Sequence, residues 1–367
     1  MKPILAHSLN SVCPYFTMYP LDFPLRVLAS ETRKNKWVYD PFCGRGTTNL
    51  AARLNGMPSV GIDSSPVAAA IAKAKVVEAS VKSVVDCATQ ILTDARDPED
   101  IPKGQFWKWA YNGTTLYQIC QFREELLRDC GTSRRKILRA IVMGALHGPR
   151  CKTQPSYFSN QCPRTFAPKP AYAVRYWKRH KLKPPKVDVL AIIRKRAERF
   201  LSVALPTPEG FVCQGDSRKW VDSSFEGLFS WVITSPPYYG MRTYIPDQWL
   251  RYWFVGGPST VDYSSRPKDM QQSSPEDFSK QLRSVWLNAA RMSRNDAKLV
   301  CRFGGIHDRQ QDCIEILKSS FRDSGWKLAT IKNAGSALDG RRQATQFGTD
   351  QKKHPRKEYD VYARRAA

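Results

Sequence analysis

The residues Trp37-Val38-Tyr39-Asp40-Pro41-Phe42-Cys43-Gly44-Arg45-Gly46-Thr47-Thr48 decide the fold. A short apolar run ends in an acid, two glycines follow, and apolar residues then recur with the period of a helix. This order predicts a strand, a glycine turn and a helix, with Thr47 or Thr48 as the helix N-cap and Gly56 as its C-terminal cap. Glycines in such a turn let a ligand approach the backbone more closely than a Cβ atom would permit.

The residues after this turn argue against phosphate binding. A dinucleotide fingerprint has a third glycine where Asn49 stands, and a phosphate-binding loop needs a Gly-Lys-Ser/Thr run that is absent here. Residues 58–63 (Pro-Ser-Val-Gly-Ile-Asp) predict a second strand that ends in Asp63. Ser65 and Pro66 then predict the start of a helix, with Ser65 as its N-cap.

A second motif follows another apolar strand. Residues 228–234 (Leu-Phe-Ser-Trp-Val-Ile-Thr) run into Ser235-Pro236-Pro237-Tyr238. Two consecutive prolines fix φ and remove two donors, which predicts a rigid loop. An ordinary proline turn after a strand is the alternative interpretation.

Together these motifs resemble the S-adenosylmethionine-dependent DNA amino-methyltransferases. Residues 40–47 are similar to the cofactor motif of that family, and Ser235-Pro236-Pro237-Tyr238 is similar to its Ser-Pro-Pro-Tyr signature, the variant usual for cytosine N4. The resemblance implies S-adenosyl-L-methionine as cofactor, with Asp63 on the ribose hydroxyls and Asp216 on the adenine amine; Asp94 is a rival for the second role. The implied cofactor-binding residues are Asp40, Phe42, Gly44, Gly46, Thr47, Asp63 and Asp216.

The resemblance also implies the catalytic roles. The Ser235 hydroxyl and the Pro236 carbonyl would accept hydrogen bonds from the target amine, on a loop that Pro237 stiffens. Tyr238 would stack on a base turned out of the duplex. Methylation at cytosine C5 needs a nucleophilic cysteine, typically in a Pro-Cys pair, and the chain contains no such dipeptide.

The predicted fold class is α/β. We expect a doubly wound, mostly parallel, seven-stranded sheet of the Rossmann-like methyltransferase type, with a basic inserted module that is helical or irregular. Residues 297–303, 326–331 and 358–364 predict later strands, and the resemblance implies that the last is antiparallel. Helices are predicted for residues 248–254, from Ser274-Pro275 onward, and for residues 310–322.

The charge points to a polyanionic partner. The 367 residues include 58 Lys+Arg and 33 Asp+Glu, a net charge of +25, and residues 131–205 alone hold 18 of these cations against 2 acids. Aromatic residues interleave the cations, as in many nucleic-acid surfaces, although a solvated basic face is the alternative. The candidate DNA-binding residues are Arg175, Lys178, Arg179, Arg194, Lys195 and Arg196.

The predicted organisation has three parts. Residues 1–100 and 206–367 form the two halves of the methyltransferase domain, and residues 101–205 form the DNA-binding and target-recognition insertion, with residues 256–272 as a possible aid. We expect no metal, because His147, Cys151 and Cys162 fit no common zinc spacing. The chain shows no signal peptide or membrane span, which predicts a cytoplasmic protein that associates with the nucleoid through DNA.

The function predicted is site-specific methylation of cytosine N4 in duplex DNA. The expected partners are double-stranded DNA and a cognate restriction endonuclease or defence system, as in restriction-modification. Adenine-N6 methylation of DNA and amino methylation of RNA are the alternatives within enzymes. A non-catalytic nucleic-acid-binding protein with a methyltransferase fold is the alternative from another class.

Overall fold

The structure is a computed structural model that describes residues 7–15, 19–94, 96–148, 156–160, 169–239, 248–261, 274–304, 313–336 and 357–366. Its strands are β1 (Trp37–Asp40), β2 (Ser59–Asp63), β3 (Gly210–Gln214), β4 (Phe229–Thr234), β5 (Ser293–Gly304), β6 (Trp326–Ser336) and β7 (Lys357–Arg365). The helices are α1 (Asp22–Leu28), α2 (Thr47–Leu54), α3 (Pro66–Lys73), α4 (Val81–Asp94), α5 (Gln105–Ala110), α6 (Gly113–Arg128), α7 (Ser133–Ala145), α8 (Pro170–Arg179), α9 (Val189–Phe200), α10 (Trp249–Phe254), α11 (Pro275–Arg291) and α12 (Cys313–Phe321).

The seven strands form one sheet in the order β3-β2-β1-β4-β5-β7-β6. β1 pairs in parallel with both β2 and β4, whereas β7 runs antiparallel to β5 and β6. The predicted fold class and the antiparallel last strand are therefore confirmed. The strand order reverses between β1 and β4, and in sheets of this kind ligands bind beyond the carboxyl ends of the strands at such a point.

The chain divides into two compact units. One comprises Met1–Met18, Pro66–Thr207 and Tyr244–Ser265, and its described elements are helical, from α3 to α10. The other comprises Tyr19–Ser65, Pro208–Thr243 and Arg266–Ala367, and it holds the whole sheet with α1, α2, α11 and α12. We call these the helical unit and the sheet unit. The three-part division by function stays a prediction.

Local signals account for α11, the helix of the sheet unit that follows the Ser-Pro-Pro-Tyr motif. The Ser274 hydroxyl accepts a hydrogen bond from the Asp277 backbone N–H at 3.0 Å, and Pro275 is the first residue of α11. The predicted apolar face is buried as Phe278, Leu282, Val285, Trp286 and Ala289. Burial of each large side chain in such a face contributes roughly 1.5–3 kcal/mol.

The predicted N-cap of α2 is wrong. Gly46 occupies that position, with φ 75° and ψ 43° in the left-handed region that glycine adopts without strain. Thr47 already lies in the helix, and the Thr48 hydroxyl donates to the Ile233 carbonyl at 3.1 Å on β4. The threonine thus ties α2 to β4 instead of capping its own backbone.

The close approach of α2 to the sheet depends on a glycine that lies on β2. An ideal Cβ at Gly61 would lie 2.6 Å from Asn49 Oδ1 and 2.9 Å from the Cys43 Cβ. The space that a third glycine at position 49 would create is therefore provided by the strand, and Asn49 donates to the Ser59 hydroxyl at 3.2 Å.

Several elements are longer or shorter than predicted. β5 begins at Ser293 and β6 extends to Ser336, because the antiparallel ladder with β7 continues from Trp326↔Arg365 to Ser336↔Lys357. The predicted helix over residues 310–322 is described only from Cys313, since its first residues lie outside the described ranges. Among the helices in the described ranges, none has the length and apolar character needed to cross a bilayer.

Candidate active site at the carboxyl ends of the strands

The glycine loop after β1 is fastened to the end of β2. The Gly44 N–H donates to Asp63 Oδ2 at 2.9 Å, and the Ser65 N–H donates to Asp63 Oδ1 at 2.8 Å. The Cys43 N–H also donates to the Ile62 carbonyl at 2.9 Å. Asp63 is partly exposed, so part of its surface is accessible to a ligand.

The same loop leaves room for a ligand over its backbone. Gly44 has φ 51°, and an ideal Cβ built on it meets no atom within 4 Å. A partly exposed glycine beside an oriented carboxylate is a cradle suited to a ribose. The predicted placement of Gly44 and Asp63 together is what the structure shows, while their binding role stays a prediction.

Asp40 is buried, whereas a residue that binds a ligand through its side chain is expected to be accessible. Its side chain is 0 % exposed. Oδ1 accepts from the Thr234 hydroxyl at 2.6 Å and from the Phe42 N–H at 3.1 Å, and Oδ2 accepts from the Tyr19 hydroxyl at 2.9 Å. Asp40 therefore joins the cofactor motif to the residue just before Ser235, and we assign it a bracing role.

Burial sets the electrostatics of this brace. Desolvation raises the pKa of Asp40 above its ordinary value of 3.8, against the lowering effect of the hydrogen bonds from Thr234, Thr48 and Tyr19. Burial also raises the pKa of Tyr19 well above 10.0, and the nearby Asp40 carboxylate adds to that rise. The Tyr19 hydroxyl also contacts the Thr48 hydroxyl, so four side chains form one buried network.

The remaining predicted cofactor residues differ in accessibility. Thr47 is only 3 % exposed, and Gly46 is buried. Phe42 is half-buried, with its ring edge-on to Trp286 at 6.4 Å between centroids. Of these three residues, Phe42 is the one whose side chain is open to a ligand.

Asp216 lies two residues beyond the end of β3. Its carboxylate accepts hydrogen bonds from the Arg218 side chain, with Nε at 2.9 Å from Oδ1 and Nη2 at 2.7 Å from Oδ2, and from the Arg218 N–H at 3.0 Å. These hydrogen bonds lower the pKa of Asp216 below 3.8, against the effect of partial burial. Its rival Asp94 is the last residue of α4, in the helical unit, and does not follow a strand.

The Ser-Pro-Pro-Tyr loop continues directly from β4. Ser235 and Pro237 are partly exposed and Pro236 is buried. Tyr238 is 7 % exposed, packs edge-on against Phe303 at 5.4 Å between centroids, and donates its hydroxyl to Glu358 Oε1 at 2.7 Å. The ring that was expected to be free for stacking is thus anchored in the core of the sheet unit.

Three side chains outside the two motifs hold motif residues in place. Tyr19, Thr234 and Glu358 hold the motif residues, and sequence reasoning did not identify them. Tyr19 lies in an aromatic segment (Tyr15, Phe16, Tyr19-Pro20) that carries only a loose likeness to a cofactor-flanking motif. Thr234 and Glu358 have no local signal, because their roles depend on strand register.

Most of the predicted DNA-binding residues are exposed cations of the helical unit. Arg175, Lys178 and Arg179 are exposed on α8, and Arg194 and Lys195 are exposed on α9. The expectation for Arg196 needs correction: its Nε and Nη2 donate to the Ser156 carbonyl at 3.2 and 3.1 Å.

Arg196 is an internal packing residue for a second reason. Its guanidinium lies 4.8 Å from the centre of the Tyr157 ring. Burial lowers its pKa from the ordinary value, against the opposite effect of Tyr157. We therefore leave Arg196 out of the candidate DNA surface. Residues 262–272, Cys151 and Cys162, which also featured in the predictions, lie outside the described residues.

The comparisons with known proteins agree with the resemblance. The sequence model of the DNA methylase family, which covers N6 and N4 amino-methyltransferases, matches residues 5–74, a range that contains the glycine loop and Asp63. The resemblance to the DNA amino-methyltransferase family is therefore confirmed, while the choice between N4 and N6 is not resolved by this match. No curated protein matches the chain.

Solved structures give only distant similarities. The TehB-like SAM-dependent methyltransferase from Corynebacterium glutamicum is 9 % identical, covers 94 % of this chain and 87 % of its own, and has a TM-score of 0.35. The rRNA methyltransferase aviRa from Streptomyces viridochromogenes is 12 % identical, with coverages of 95 % and 87 % and a TM-score of 0.33. Because these TM-scores are low, the fold assignment rests on the strand order of this chain.

Proposed function

We propose that this protein transfers a methyl group from S-adenosyl-L-methionine to the exocyclic N4 amine of cytosine in duplex DNA. The proposal rests on the hydrogen bond that the Thr234 hydroxyl donates to the Asp40 carboxylate. It joins the residue before Ser235 to the first residue of the cofactor motif, at the point where the strand order reverses. The two motifs that the resemblance pairs are thus adjacent in space.

The residues present fit this cofactor. Gly44 has open space over its backbone, Asp63 is oriented by two backbone N–H groups, and Asp216 is a charged acceptor at the next strand end. In the proposal Asp63 accepts from the ribose hydroxyls and Asp216 from the adenine amine, while Phe42 covers one side. The bound cofactor supplies an electrophilic methyl group on a sulfonium centre.

The chain's own part in the reaction is to orient the amine. The lone pair of an exocyclic amine is delocalised into the ring, so the nitrogen must be drawn toward tetrahedral geometry before it can attack. The Ser235 hydroxyl and the Pro236 carbonyl accept hydrogen bonds from the two amine N–H groups, which directs the lone pair away from the loop. Because both prolines have fixed φ, the loop loses little freedom when the base binds.

The proposed substrate is inferred from the residue at position 235 and from the exposed cations of the helical unit. Ser235 stands where enzymes for adenine N6 more often carry Asp or Asn, which favours cytosine N4. The exposed cations of α8 and α9 are suited to the phosphates of a duplex. We propose double-stranded DNA as the partner, with base flipping, a nucleoid-associated cytoplasmic location and a role in restriction-modification beside a cognate endonuclease.

The direct test is the Ser235→Ala variant. We expect methyl transfer from labelled cofactor to duplex DNA to be nearly abolished while cofactor affinity stays unchanged, because Ser235 acts on the amine alone. Ser284→Ala, on the exposed side of α11, is the matched control and should transfer at the rate of the wild type. Full activity of Ser235→Ala would refute the proposal. Methyl transfer by the wild type to RNA but not to DNA would show that the substrate is RNA.

A further inference from the structure

Tyr238 is fixed by two strands that carry none of the predicted motifs. Its hydroxyl donates to Glu358 Oε1 on β7 at 2.7 Å, and Glu358 is 2 % exposed. Its ring edge packs on Phe303 of β5. A buried hydrogen bond to a carboxylate is one of the stronger contacts that a tyrosine makes, since the acceptor is charged.

The approach of the ring requires a glycine. Gly304 pairs with Glu358 across the β5/β7 ladder. An ideal Cβ on Gly304 would lie 2.9 Å from Tyr238 Cε2 and 3.0 Å from the Lys357 carbonyl oxygen. A side chain at position 304 would therefore displace the tyrosine ring from its place over the strand.

A neighbouring ion pair makes a carboxylate tolerable at position 358. Arg302 Nε and Nη2 donate to the two oxygens of Asp360 at 2.7 and 2.8 Å. Burial acts to lower the pKa of Arg302, but the hydrogen bond and charge of Asp360, together with the charge of Glu358, raise it above its ordinary value. The guanidinium therefore stays charged and offsets part of the cost of burying the Glu358 carboxylate.

The Ser-Pro-Pro-Tyr loop is consequently clamped at both ends. Thr234 binds Asp40 before the loop, and Tyr238 binds Glu358 after it. Between these anchors stand Ser235 and two prolines whose φ angles are fixed. The position of the Ser235 hydroxyl is thus determined from both sides of the loop.

We infer that Glu358 is a positioning residue for methyl transfer, acting through Tyr238 and with the space provided by Gly304. This inference rests on the function proposed above. Glu358 does not touch the substrate in this account. It holds the loop so that Ser235 and the Pro236 carbonyl meet the amine in reactive geometry, and a displacement of about 1 Å at such a site costs on the order of a hundredfold in rate.

The test compares Glu358→Leu with Glu358→Gln. The leucine variant removes the acceptor, whereas the glutamine variant keeps an amide oxygen at the same place. We expect kcat to fall roughly ten- to a hundredfold for Glu358→Leu, with the KM for DNA and the affinity for S-adenosylhomocysteine unchanged, and to recover most of the loss in Glu358→Gln. Glu315→Leu on α12, an exposed carboxylate, is the matched control.

A purely structural role gives a different pattern. It would lower cofactor affinity along with kcat, and that outcome would overturn the inference, as would wild-type kcat in Glu358→Leu. Tyr238→Phe combined with Glu358→Leu should be no slower than the slower single variant, because both remove the same bond; losses that multiply would contradict the clamp. A wild type that binds cofactor but methylates neither DNA nor RNA would refute the proposed function itself.

Discussion

Removing the Thr234 hydroxyl should weaken the brace between the two motifs without changing the shape of the core. Thr234→Val replaces the hydroxyl by a methyl group and leaves the backbone of β4 intact. Thr234 and Asp40 are both 0 % exposed, and their bond of 2.6 Å is short, as expected for a hydroxyl that donates to a carboxylate. Asp40 would keep its bonds from Tyr19 and Phe42 but lose its closest donor.

The expected loss in the free energy of unfolding of Thr234→Val follows from the geometry of this hydrogen bond. A hydrogen bond to a charged group contributes about 1.5–3 kcal/mol, and a buried carboxylate that loses a donor receives no replacement from water. The corresponding fall in unfolding temperature is on the order of 2–4 °C for a chain of this size. Thr234→Ser keeps the donor and removes one methyl group, which costs about 1 kcal/mol.

Thermal unfolding and initial-rate assays of the two variants test this reasoning. We expect Thr234→Val to lose more stability than Thr234→Ser and to transfer methyl groups more slowly, because Ser235 follows directly. Equal unfolding temperatures for the two variants would refute the claim that the hydrogen bond of the Thr234 hydroxyl, and not the packing of its methyl group, stabilises this part of the sheet unit.

Three further predictions concern the buried acid, the helix contact and the DNA surface. Because burial raises the folded-state pKa of Asp40 above 3.8, its contribution to stability falls as pH rises from 3.8 to that raised pKa and is constant at higher pH. The stability of the wild type relative to Asp40→Asn should therefore decrease across that window in urea unfolding. Gly61→Ala should destabilise by roughly 1–3 kcal/mol through overpacking against α2, measured by the same method. Arg194→Gln with Lys195→Gln should reduce the slope of log affinity against log salt for duplex DNA by about 2.

Matched controls make these results interpretable. Gly215→Ala meets its nearest atom at 3.8 Å and should be tolerated, so an equal loss in both glycine variants would contradict the packing argument. Lys103→Gln changes another exposed cation of the helical unit. If it flattened the salt dependence as much as the pair on α9 does, the DNA surface would not be localised there. A stability difference for Asp40→Asn that rose with pH would refute the sign assigned to its burial.

The parts of the fold that follow from local patterns could be predicted. The apolar run before Asp40, the Ser274-Pro275 start of α11 and the strand before Ser235 all have signals within a few residues, and the structure shows each of them. The cap of α2 was mistaken because glycine and threonine both suit such a position, and only the left-handed turn at Gly46 decides between them.

The motifs of the site could be predicted from the sequence, but the residues that hold these motifs in place could not. Thr234 and Asp40 are 194 residues apart, and Tyr238 and Glu358 are 120 residues apart. Such pairs arise from strand order and register, which no local pattern encodes. The inward position of Arg196 likewise depends on Ser156 and Tyr157, in a segment without regular secondary structure.

Mass analysis of nucleosides tests the central claim most directly. Duplex DNA and RNA are each incubated with the protein and S-adenosylmethionine carrying a labelled methyl group, then digested to nucleosides and separated. The account predicts labelled N4-methyldeoxycytidine from DNA and almost none when Ser235→Ala replaces the wild type. Label in N6-methyldeoxyadenosine, label in RNA alone, or no labelled nucleoside from a protein that binds the cofactor would contradict it.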